Sequence, residues 1–294
     1  MKARAFLYRR PDSIDEALEL LADNEGAQVL AGGQSLMPTL NMRLSSPEML
    51  VDINRIAALR GIDDRGETIR IGALVRHAEV LDSKLIAGRV PLMAMAIPHV
   101  AHMAVRNRGT TCGSLALADP SAEMPAVAVA LDATIVLRKR GAERVVPARE
   151  FFQGLYQTAR NEDEMIAEVI LPAAKPEEVF GFSELSRRHG DFATVGVAVR
   201  ARKAPRGLAK LDVVFFGSEP TPLLSPSARD LTIDAKLPDD ALSEIVNNIA
   251  KDMSPIDSHQ GRGETKRRQA AVLLQRTLQD MIARAAHVRE SRHQ

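Results

Sequence analysis

The sequence predicts an α+β protein with two parts, and three observations support this class. Residues 5–53 alternate apolar runs with helical segments, in the order strand, helix, strand, loop, helix. After residue 178, three apolar runs of strand length follow one another, and two segments of helical periodicity close the chain. Between the parts, residues 172–176 contain two prolines and small residues, which break both kinds of element. Strands followed by helices indicate an antiparallel sheet with helices on one side.

The N-terminal elements are predicted from short apolar runs and one helix start. Residues 5–8, 28–30 and 50–53 favour strands. Ser13 begins a helix, because Glu16 three residues later forms a capping box and apolar residues follow at helical spacing.

The rest of the chain mixes both kinds of element. Strands are predicted at residues 68–71, 133–137, 144–146, 167–171, 181–186, 194–202 and 211–217. Helices are predicted at residues 91–99 and 122–131, and around Leu242, Ile245, Val246, Ile249, Ala271, Leu274, Leu278, Met281, Ile282 and Ala285.

Composition excludes several classes of protein. With 294 residues, 45% of them hydrophobic, the chain can bury a sizeable core. A net charge of +1 and an absence of Trp argue against a nucleic-acid-binding surface. The longest apolar run, residues 124–131, is too short to span a membrane, and no signal peptide follows Met1, so we expect a cytoplasmic protein. A single cysteine, Cys112, excludes an internal disulfide and a self-contained iron–sulphur cluster, which needs four thiolates.

The first informative segment is Ala31-Gly32-Gly33-Gln34-Ser35, which joins a predicted strand to a helix. Glycine lets the backbone approach a ligand closely, so that backbone N–H groups can bind a diphosphate. Ser35 adds a hydroxyl donor. An ordinary strand-to-helix turn is the alternative interpretation of this segment taken alone.

A second segment of the same character, residues 106–114, is interpreted as a loop between two helices. It contains the pairs Gly109-Thr110 and Gly113-Ser114, and Arg106 and Arg108 favour an anion. Two such segments suit a dinucleotide, whose diphosphate needs contacts from more than one side. The sequence contains neither G-x-G-x-x-G nor G-x-x-x-x-G-K-[ST], so a nicotinamide dehydrogenase or a P-loop enzyme is not supported.

These segments carry a family resemblance. Residues 30–38, Leu-Ala-Gly-Gly-Gln-Ser-Leu-Met-Pro, resemble the first FAD-binding motif of the medium, flavin-carrying subunit of bacterial molybdenum hydroxylases. Residues 106–126 resemble the second motif and residues 185–194 a third. The family includes carbon monoxide dehydrogenase, xanthine dehydrogenase and the quinoline and nicotine hydroxylases. The resemblance spans nearly the whole chain, with its motifs in order.

The resemblance implies a fold and its domains. The family fold is of the vanillyl-alcohol-oxidase type, in which two α/β subdomains hold FAD and a C-terminal domain has a three-stranded antiparallel sheet with helices. We expect an FAD-binding domain at residues 1–174, with subdomains at about 1–56 and 57–174. A C-terminal flavoprotein domain is expected at residues 178–287.

The resemblance also implies the cofactor contacts, and it assigns no catalytic side chain and no metal ligand. Residues 29–36 would line the adenosine and diphosphate side, and residues 110–114 would form the second diphosphate segment. Glu123 would face the ribose or adenine. The implied FAD-binding set is Val29, Leu30, Ala31, Gly32, Gly33, Gln34, Ser35, Leu36, Val100, Thr110, Thr111, Cys112, Gly113, Ser114, Glu123, Ile166, Glu184 and Phe192.

Three positions of this set depart from the family pattern. Cys112 stands where a glycine is usual, which leaves close backbone approach there in question. Some relatives carry a lysine and a tyrosine near the isoalloxazine, and here those positions hold Glu184 and Phe192. Without this lysine, a positive charge near the flavin is missing. Its absence would change the reduction potential of the flavin or the reactivity of the flavin with electron acceptors.

As a member of this family, the chain would be an oxidoreductase subunit that carries electrons. It would take them from a small partner subunit with [2Fe–2S] clusters and pass them through FAD to an external acceptor. A large molybdopterin subunit would hydroxylate a small substrate, and the assembly would be a dimer of heterotrimers. Gln34 and Cys112 are more similar to N-heterocycle hydroxylases than to carbon monoxide dehydrogenase. The alternatives are a free-standing FAD oxidase and a flavin-free scaffold.

Other candidate groups have simpler interpretations. His99 and His102, three residues apart, invite a metal site, but no third ligand completes a set nearby. Asp119 is expected to cap a helix, and Cys112 has no visible base to activate it as a nucleophile. Basic residues 266–268 are expected on a solvated helix face or at a subunit contact.

Overall fold

The structure is a computed structural model that describes residues 2–258 and 260–290, with side chains described as far as residue 285. Its strands are, in chain order, β1 Leu7–Arg9, β2 Ala27–Leu30, β3 Met49–Asp52, β4 Ile62–Asp64, β5 Thr68–Gly72, β6 Thr134–Lys139, β7 Ala142–Pro147, β8 Phe152–Gly154, β9 Gln157–Thr158, β10 Met165–Pro172, β11 Glu178–Leu185, β12 Val195–Ala204, β13 Gly207–Phe216, β14 Leu223–Leu224 and β15 Thr232–Asp234.

The helices alternate with these strands. They are α1 Ile14–Asp23, α2 Leu36–Asn41, α3 His77–Asp82, α4 Lys84–Arg89, α5 Pro91–Ala96, α6 Met103–Arg106, α7 Thr111–Leu117, α8 Glu123–Ala130, α9 Ala148–Phe151, α10 Asp239–Ala250 and α11 Gly263–Glu290. Short 3₁₀ turns lie at Ile53–Arg55, Ala57–Leu59, Ile97–His99 and Pro226–Ala228.

The chain divides into two compact units that interleave along the sequence. Unit 1 comprises residues 1–85, 102–118 and 132–173, and unit 2 comprises residues 86–101, 119–131 and 174–294. Residues 86–101 and 119–131 therefore group with the C-terminal part of the chain. No local sequence signal marks this grouping, because it depends on which elements share a core.

Unit 1 begins with a three-stranded parallel sheet in the order β1-β3-β2. Helix α1 starts at a Ser13 cap, whose hydroxyl accepts a hydrogen bond from the Glu16 amide at 3.1 Å. The Glu16 carboxylate accepts from the Asp12 amide rather than from Ser13, so only half of the predicted capping box forms as expected. Because the strands are parallel, Leu30 and Asp52 end side by side and direct both following segments to one edge.

The second sheet of unit 1 is antiparallel and has the order β4-β5-β10-β6-β7. Its central strands are apolar, as the sequence predicted, but a buried ion pair crosses them. Arg70 on β5 donates to Glu168 on β10 at 2.5 Å and to Asp63 on β4 at 3.0 Å. These bonds join three neighbouring strands and satisfy a charge that burial would otherwise make costly.

Unit 2 is built on the predicted antiparallel sheet of β11, β12 and β13. The sheet is larger than expected, because the short strands β14 and β15 both pair with β13 and bring it to five strands. Two- and three-residue strands have no periodicity to detect, which explains why the sequence did not show them. Helices α10 and α11 follow the predicted spacing, and their apolar residues share one core with this sheet.

One smaller prediction is corrected. The predicted linker at residues 172–176 is shifted, since Pro172 still belongs to β10 and the irregular stretch is 173–177. The last residue of a strand need not donate a backbone hydrogen bond to the neighbouring strand. A proline there can therefore belong to the strand and does not mark the start of the linker. Across the described parts of the chain, no helix is both long enough and apolar enough to cross a bilayer.

The packing of α11 against β11 in unit 2 depends on a glycine. A Cβ added to Gly181 would lie 2.4 Å from Thr277 Cγ2 and 2.6 Å from Met281 Sδ. We expect Gly181→Ala to lower the free energy of unfolding by about 1–3 kcal/mol through overpacking. Gly88→Ala is the control, because an added Cβ there meets no atom within 4 Å. Urea denaturation of both variants tests this packing, and equal stabilities would contradict it.

Candidate functional site

The first loop, residues 31–35, follows β2 and leads into α2, as the sequence predicted. Gly33 has φ +71°, a left-handed conformation that other residues rarely adopt. Within the described residues, the backbone N–H groups of residues 32–35 donate to no protein acceptor. A short stretch of free amides beside a helix start is a typical anion-binding arrangement.

The second segment is not one long loop. Helix α6 ends at Arg106 and α7 already begins at Thr111, so only residues 107–110, the second loop, are irregular. Thr110 caps α7, and its hydroxyl accepts from the Gly113 amide at 3.0 Å. The helix includes Thr111, Cys112, Gly113 and Ser114, because a good N-cap outweighs one glycine in the first turn. The prediction of a loop through residue 114 was therefore wrong.

The two loops are in backbone contact within unit 1. A Cβ added to Gly32 would lie 2.2 Å from the Arg108 carbonyl oxygen and 2.8 Å from Gly109 Cα. Any residue other than glycine at position 32 would push the second loop away. On the other side of the second loop, a Cβ at Gly109 would lie 3.0 Å from His77 Cδ2.

Three residues outside both loops hold the loop carbonyls. Asn54 Nδ2 donates to the Ala31 oxygen at 2.8 Å, and the His77 amide donates to the Gly109 oxygen at 2.9 Å. Arg76 donates with one nitrogen to the Arg108 oxygen and with the other to Asn54 Oδ1. A continuous set of hydrogen bonds therefore links the two loops.

Asp52 at the end of β3 supports Asn54. Its Oδ1 accepts from the Asn54 amide at 2.9 Å and from Nδ2 at 2.5 Å, and its Oδ2 accepts from the Tyr8 hydroxyl. Burial opposes ionisation of this carboxyl, but the hydrogen bonds from Tyr8 and Asn54 outweigh burial and lower its pKa. Asp52 is thus a carboxylate at neutral pH and fixes which Asn54 atom is the donor.

Unit 2 contains a cluster of titratable groups. His99 Nδ1 lies 3.2 Å from Glu184 Oε1, and the other carboxylate oxygen of Glu184 is buried without a partner in the described structure. This hydrogen bond raises the pKa of His99, although burial opposes it. Burial, with a smaller contribution from the charge of Glu184, raises the pKa of Glu123 to about 8. Glu123 is therefore mostly protonated at neutral pH.

Cys112 is a packed residue of unit 1. Its thiol is fully buried in α7, 3.8 Å from the Ile71 carbonyl oxygen, and burial raises its pKa to about 12. A thiol of this kind is inert as a nucleophile at neutral pH. The Cys112 side chain packs beside β5.

Comparisons with known proteins show the family of the chain. Residues 4–174 match the family model described as the FAD-binding domain in molybdopterin dehydrogenase, and residues 180–281 match the CO dehydrogenase flavoprotein C-terminal domain. The chain belongs to this family of FAD-binding subunits. It is accordingly an oxidoreductase subunit with FAD as its cofactor, and its fold is that of the family.

Relatives of the family align with the chain along nearly its whole length. The alpha subunit of the 6-hydroxypseudooxynicotine dehydrogenase complex of Paenarthrobacter nicotinovorans is 36% identical over 99% of both chains. The beta subunit of caffeine dehydrogenase of a Pseudomonas strain is 40% identical over 81% of this chain and 84% of its own. The solved structure of Hydrogenophaga pseudoflava carbon monoxide dehydrogenase superposes with a TM-score of 0.91, at 33% identity, covering 97% of this chain and 99% of its own.

The residues expected to bind FAD fall into both units of this family member. Glu123 and Glu184 lie in one cluster of unit 2, with Val100 directly after His99, while Phe192 is 59% exposed. Ile166 lies in unit 1 on β10, opposite Leu137 of β6. The members brought together around the two loops of unit 1 are Val29, Leu30, Ala31, Gly32, Gly33, Gln34, Ser35, Leu36, Thr110, Thr111, Cys112, Gly113 and Ser114.

Sequence reasoning missed four residues that organise the loops: Asp52, Asn54, Arg76 and His77. Each lies just beyond a strand or at a helix start, where polar residues are common and carry no distinct signal. The parallel pairing of β2 with β3 is the feature that places Asn54 beside the first loop. A prediction of that pairing would have been needed to find it.

The other candidates have structural roles. Asp119 lies before α8 and accepts from the Ser121 amide at 2.9 Å, while Ala122 occupies the cap position expected for Asp119. The solvated face predicted at residues 266–268 is only partly present. Lys266 is 3% exposed and Arg267 donates to the Met253 oxygen at 2.8 Å, whereas the Arg268 side chain is 78% exposed and pairs with Glu264. In the residues that the structure describes, no cluster of three His, Cys, Asp or Glu could hold a metal.

The buried Glu123 predicts a pH-dependent stability for the chain without ligand. The folded state keeps this proton to about pH 8, whereas an ordinary glutamate releases it near 4.5. The folded state thus binds more protons than the unfolded state between these values, and stability falls as pH rises. The raised pKa of His99 acts in the same direction. We expect the free energy of unfolding of the wild-type chain to fall by on the order of 2 kcal/mol between pH 5 and pH 8.5 because of Glu123. The Glu123→Gln variant should not show this decrease.

Urea denaturation at several pH values measures this slope. Glu244→Gln is the matched control, because Glu244 is an exposed glutamate on α10 of the same unit. Glu244→Gln should show the same dependence of the free energy of unfolding on pH as wild type. If Glu123→Gln also shows the wild-type dependence, Glu123 is not its source.

Proposed function

We propose that the two loops of unit 1 hold the diphosphate of FAD through backbone N–H groups. The observation that supports this proposal is the close approach of Gly32 to Arg108 and Gly109, next to the free amides of the first loop. Backbone amides can bind a diphosphate without a lysine side chain. When bound, FAD supplies the redox chemistry, and the protein positions and tunes it.

The remaining implied contacts stay part of the proposal. Glu123, protonated at neutral pH, can donate to a ligand oxygen, and the unpartnered oxygen of Glu184 can accept from a ligand N–H or O–H. The buried Thr111 hydroxyl also lacks a partner among the described residues and is available to a ligand. Val100 and Ile166 offer apolar contacts, and Phe192 offers an exposed ring.

We further propose that the chain takes electrons from a small [2Fe–2S] subunit and passes them to an external acceptor. A large molybdopterin subunit would hydroxylate the substrate, and three chains would assemble as a dimer of heterotrimers. One cysteine cannot hold a cluster on this chain, which supports a partner. One relative is named as a subunit of a dehydrogenase complex and another as a medium chain. Two further relatives are named as subunits of a caffeine dehydrogenase and of a nicotine hydroxylase. These names favour an N-heterocyclic substrate.

The proposed domain organisation follows the same assignment: an FAD-binding domain at residues 1–174, divided at about residue 56, and a C-terminal domain at 178–287. A cytoplasmic location also stays a prediction. The family models match residues 4–174 and 180–281, which supports the division near residue 177.

FAD binding by the purified full chain tests the loop assignment. We expect wild-type protein to bind FAD, and Gly32→Ala to weaken binding at least about tenfold, because an added Cβ separates the loops. Fluorescence quenching of FAD measures the affinity. Gly88→Ala, which adds a methyl in open space, should bind as wild type does. Unchanged affinity in Gly32→Ala would exclude a diphosphate site at these loops.

Co-expression with the two partner chains tests the assembly. We expect the chain to co-purify with both at equal stoichiometry, and native mass spectrometry should find two copies of each. The chain with FAD but without partners should not oxidise substrates. Recovery of the chain alone from such cells would contradict the complex, and oxidase activity of the isolated yellow protein would favour the free-standing enzyme.

A further inference from the structure

Asn54 and Arg76 lie outside both loops, yet their side chains contact the backbone of both. Asn54 follows β3, and Arg76 is the residue before α3. Neither residue belongs to a motif that resembles an FAD contact. Their common feature is that they bind carbonyl oxygens of the loops.

In the first loop, the bond from Asn54 to the Ala31 carbonyl fixes the direction of one peptide group. The peptide is planar and trans, so its carbonyl and the following N–H point in opposite directions. With the Ala31 oxygen 2.8 Å from Asn54 Nδ2, the N–H of Gly32 is directed away from Asn54. This N–H has no protein acceptor among the described residues, so it is available to a ligand.

In the second loop, a backbone amide rather than a side chain directs the free N–H, and Arg76 binds the carbonyl one residue earlier. Arg76 binds the Arg108 oxygen, and the His77 amide binds the Gly109 oxygen at 2.9 Å. The N–H that follows Gly109 belongs to Thr110, and it points away from His77. Thr110 is 2% exposed, and in the described structure its N–H has no acceptor within the protein.

The chemistry of the two side chains suits this task. Asn54 is both donor and acceptor, so it can bind Ala31 and Asp52 with Nδ2 and Arg76 with Oδ1. The planar guanidinium of Arg76 presents two nitrogens in a fixed fork, and they reach Arg108 and Asn54 together. Lysine would have the charge but could not hold both acceptors in one plane.

We propose that Asn54 and Arg76 are positioning residues. Asn54 orients the Gly32 amide toward a diphosphate, and Arg76 binds both Asn54 and the Arg108 carbonyl, so that it holds the second loop against the first. This inference rests on the proposed FAD site. It goes beyond that site because it gives a role in diphosphate binding to two residues that need not touch the ligand. Fixed donors need no reorganisation when an anion binds, which strengthens their interaction with it.

The experiment uses FAD and the full-length chain, with Asn54→Asp, Arg76→Lys and Arg76→Gln as variants. Asn54→Asp keeps the acceptor for Arg76 but replaces the donor to Ala31 by a carboxylate oxygen. Arg76→Lys keeps the charge and removes the fork. Arg140→Gln is the matched control, because it removes a charge of unit 1 that pairs with Asp23. Thermal unfolding of each variant without FAD shows whether the fold is intact.

Two readouts separate positioning from general stability. The first is FAD affinity, which we expect each of the three variants to lower about tenfold to a hundredfold. The second is the ³¹P NMR spectrum of FAD at saturating protein concentration. We expect the diphosphate resonances in the variants to move toward those of free FAD, and those in Arg140→Gln to stay at the wild-type positions.

Each outcome decides one of the two proposals. If wild-type protein does not bind FAD, the proposed function fails. If wild type binds and the variants bind within twofold of it, or weaken while their bound ³¹P resonances stay unchanged, the positioning role is overturned. If Arg76→Lys behaves as wild type while Arg76→Gln does not, charge alone is sufficient and the fork has no role.

Discussion

The site in unit 1 depends on one backbone-to-backbone approach. Gly32 packs so closely on Arg108 and Gly109 that even a methyl group would overlap the chain. This approach brings together two loops that lie about 75 residues apart in sequence. The parallel pairing of β2 with β3 and the capped start of α7 fix the ends of these loops. Without this contact, the same residues would form two unrelated turns.

At the proposed diphosphate site, backbone dipoles would be the main attraction for an anion. Arg76, Arg106 and Arg108 add positive charge around the loops, but the Arg76 guanidinium is already bound to protein oxygens. Burial, and then repulsion from Arg108 and Arg60, lower the pKa of Arg76. Because its guanidinium is bound to the Arg108 oxygen and to Asn54, Arg76 contributes to the site by positioning these groups. A chain with a net charge of only +1 can in this way bind an anionic cofactor without a strongly basic surface.

Unit 2 contributes a different kind of environment. The structure pairs Glu184 with His99 beside a buried Glu123. Protonation of Glu123 limits the net negative charge that two buried carboxyls would otherwise create, and the ion pair with Glu184 favours the charged form of His99.

The sequence by itself determined the family, the cofactor and the order of most elements, because apolar periodicity and glycine motifs are local properties. The first loop, the three long strands of unit 2 and helices α10 and α11 followed from such patterns. Tertiary structure alone decided that α7 starts at Thr111, that Lys266 is buried, and that Asn54 and Arg76 hold the loops. These features depend on contacts between residues distant in sequence, and the spacing of residues along one chain carries no signal of such contacts.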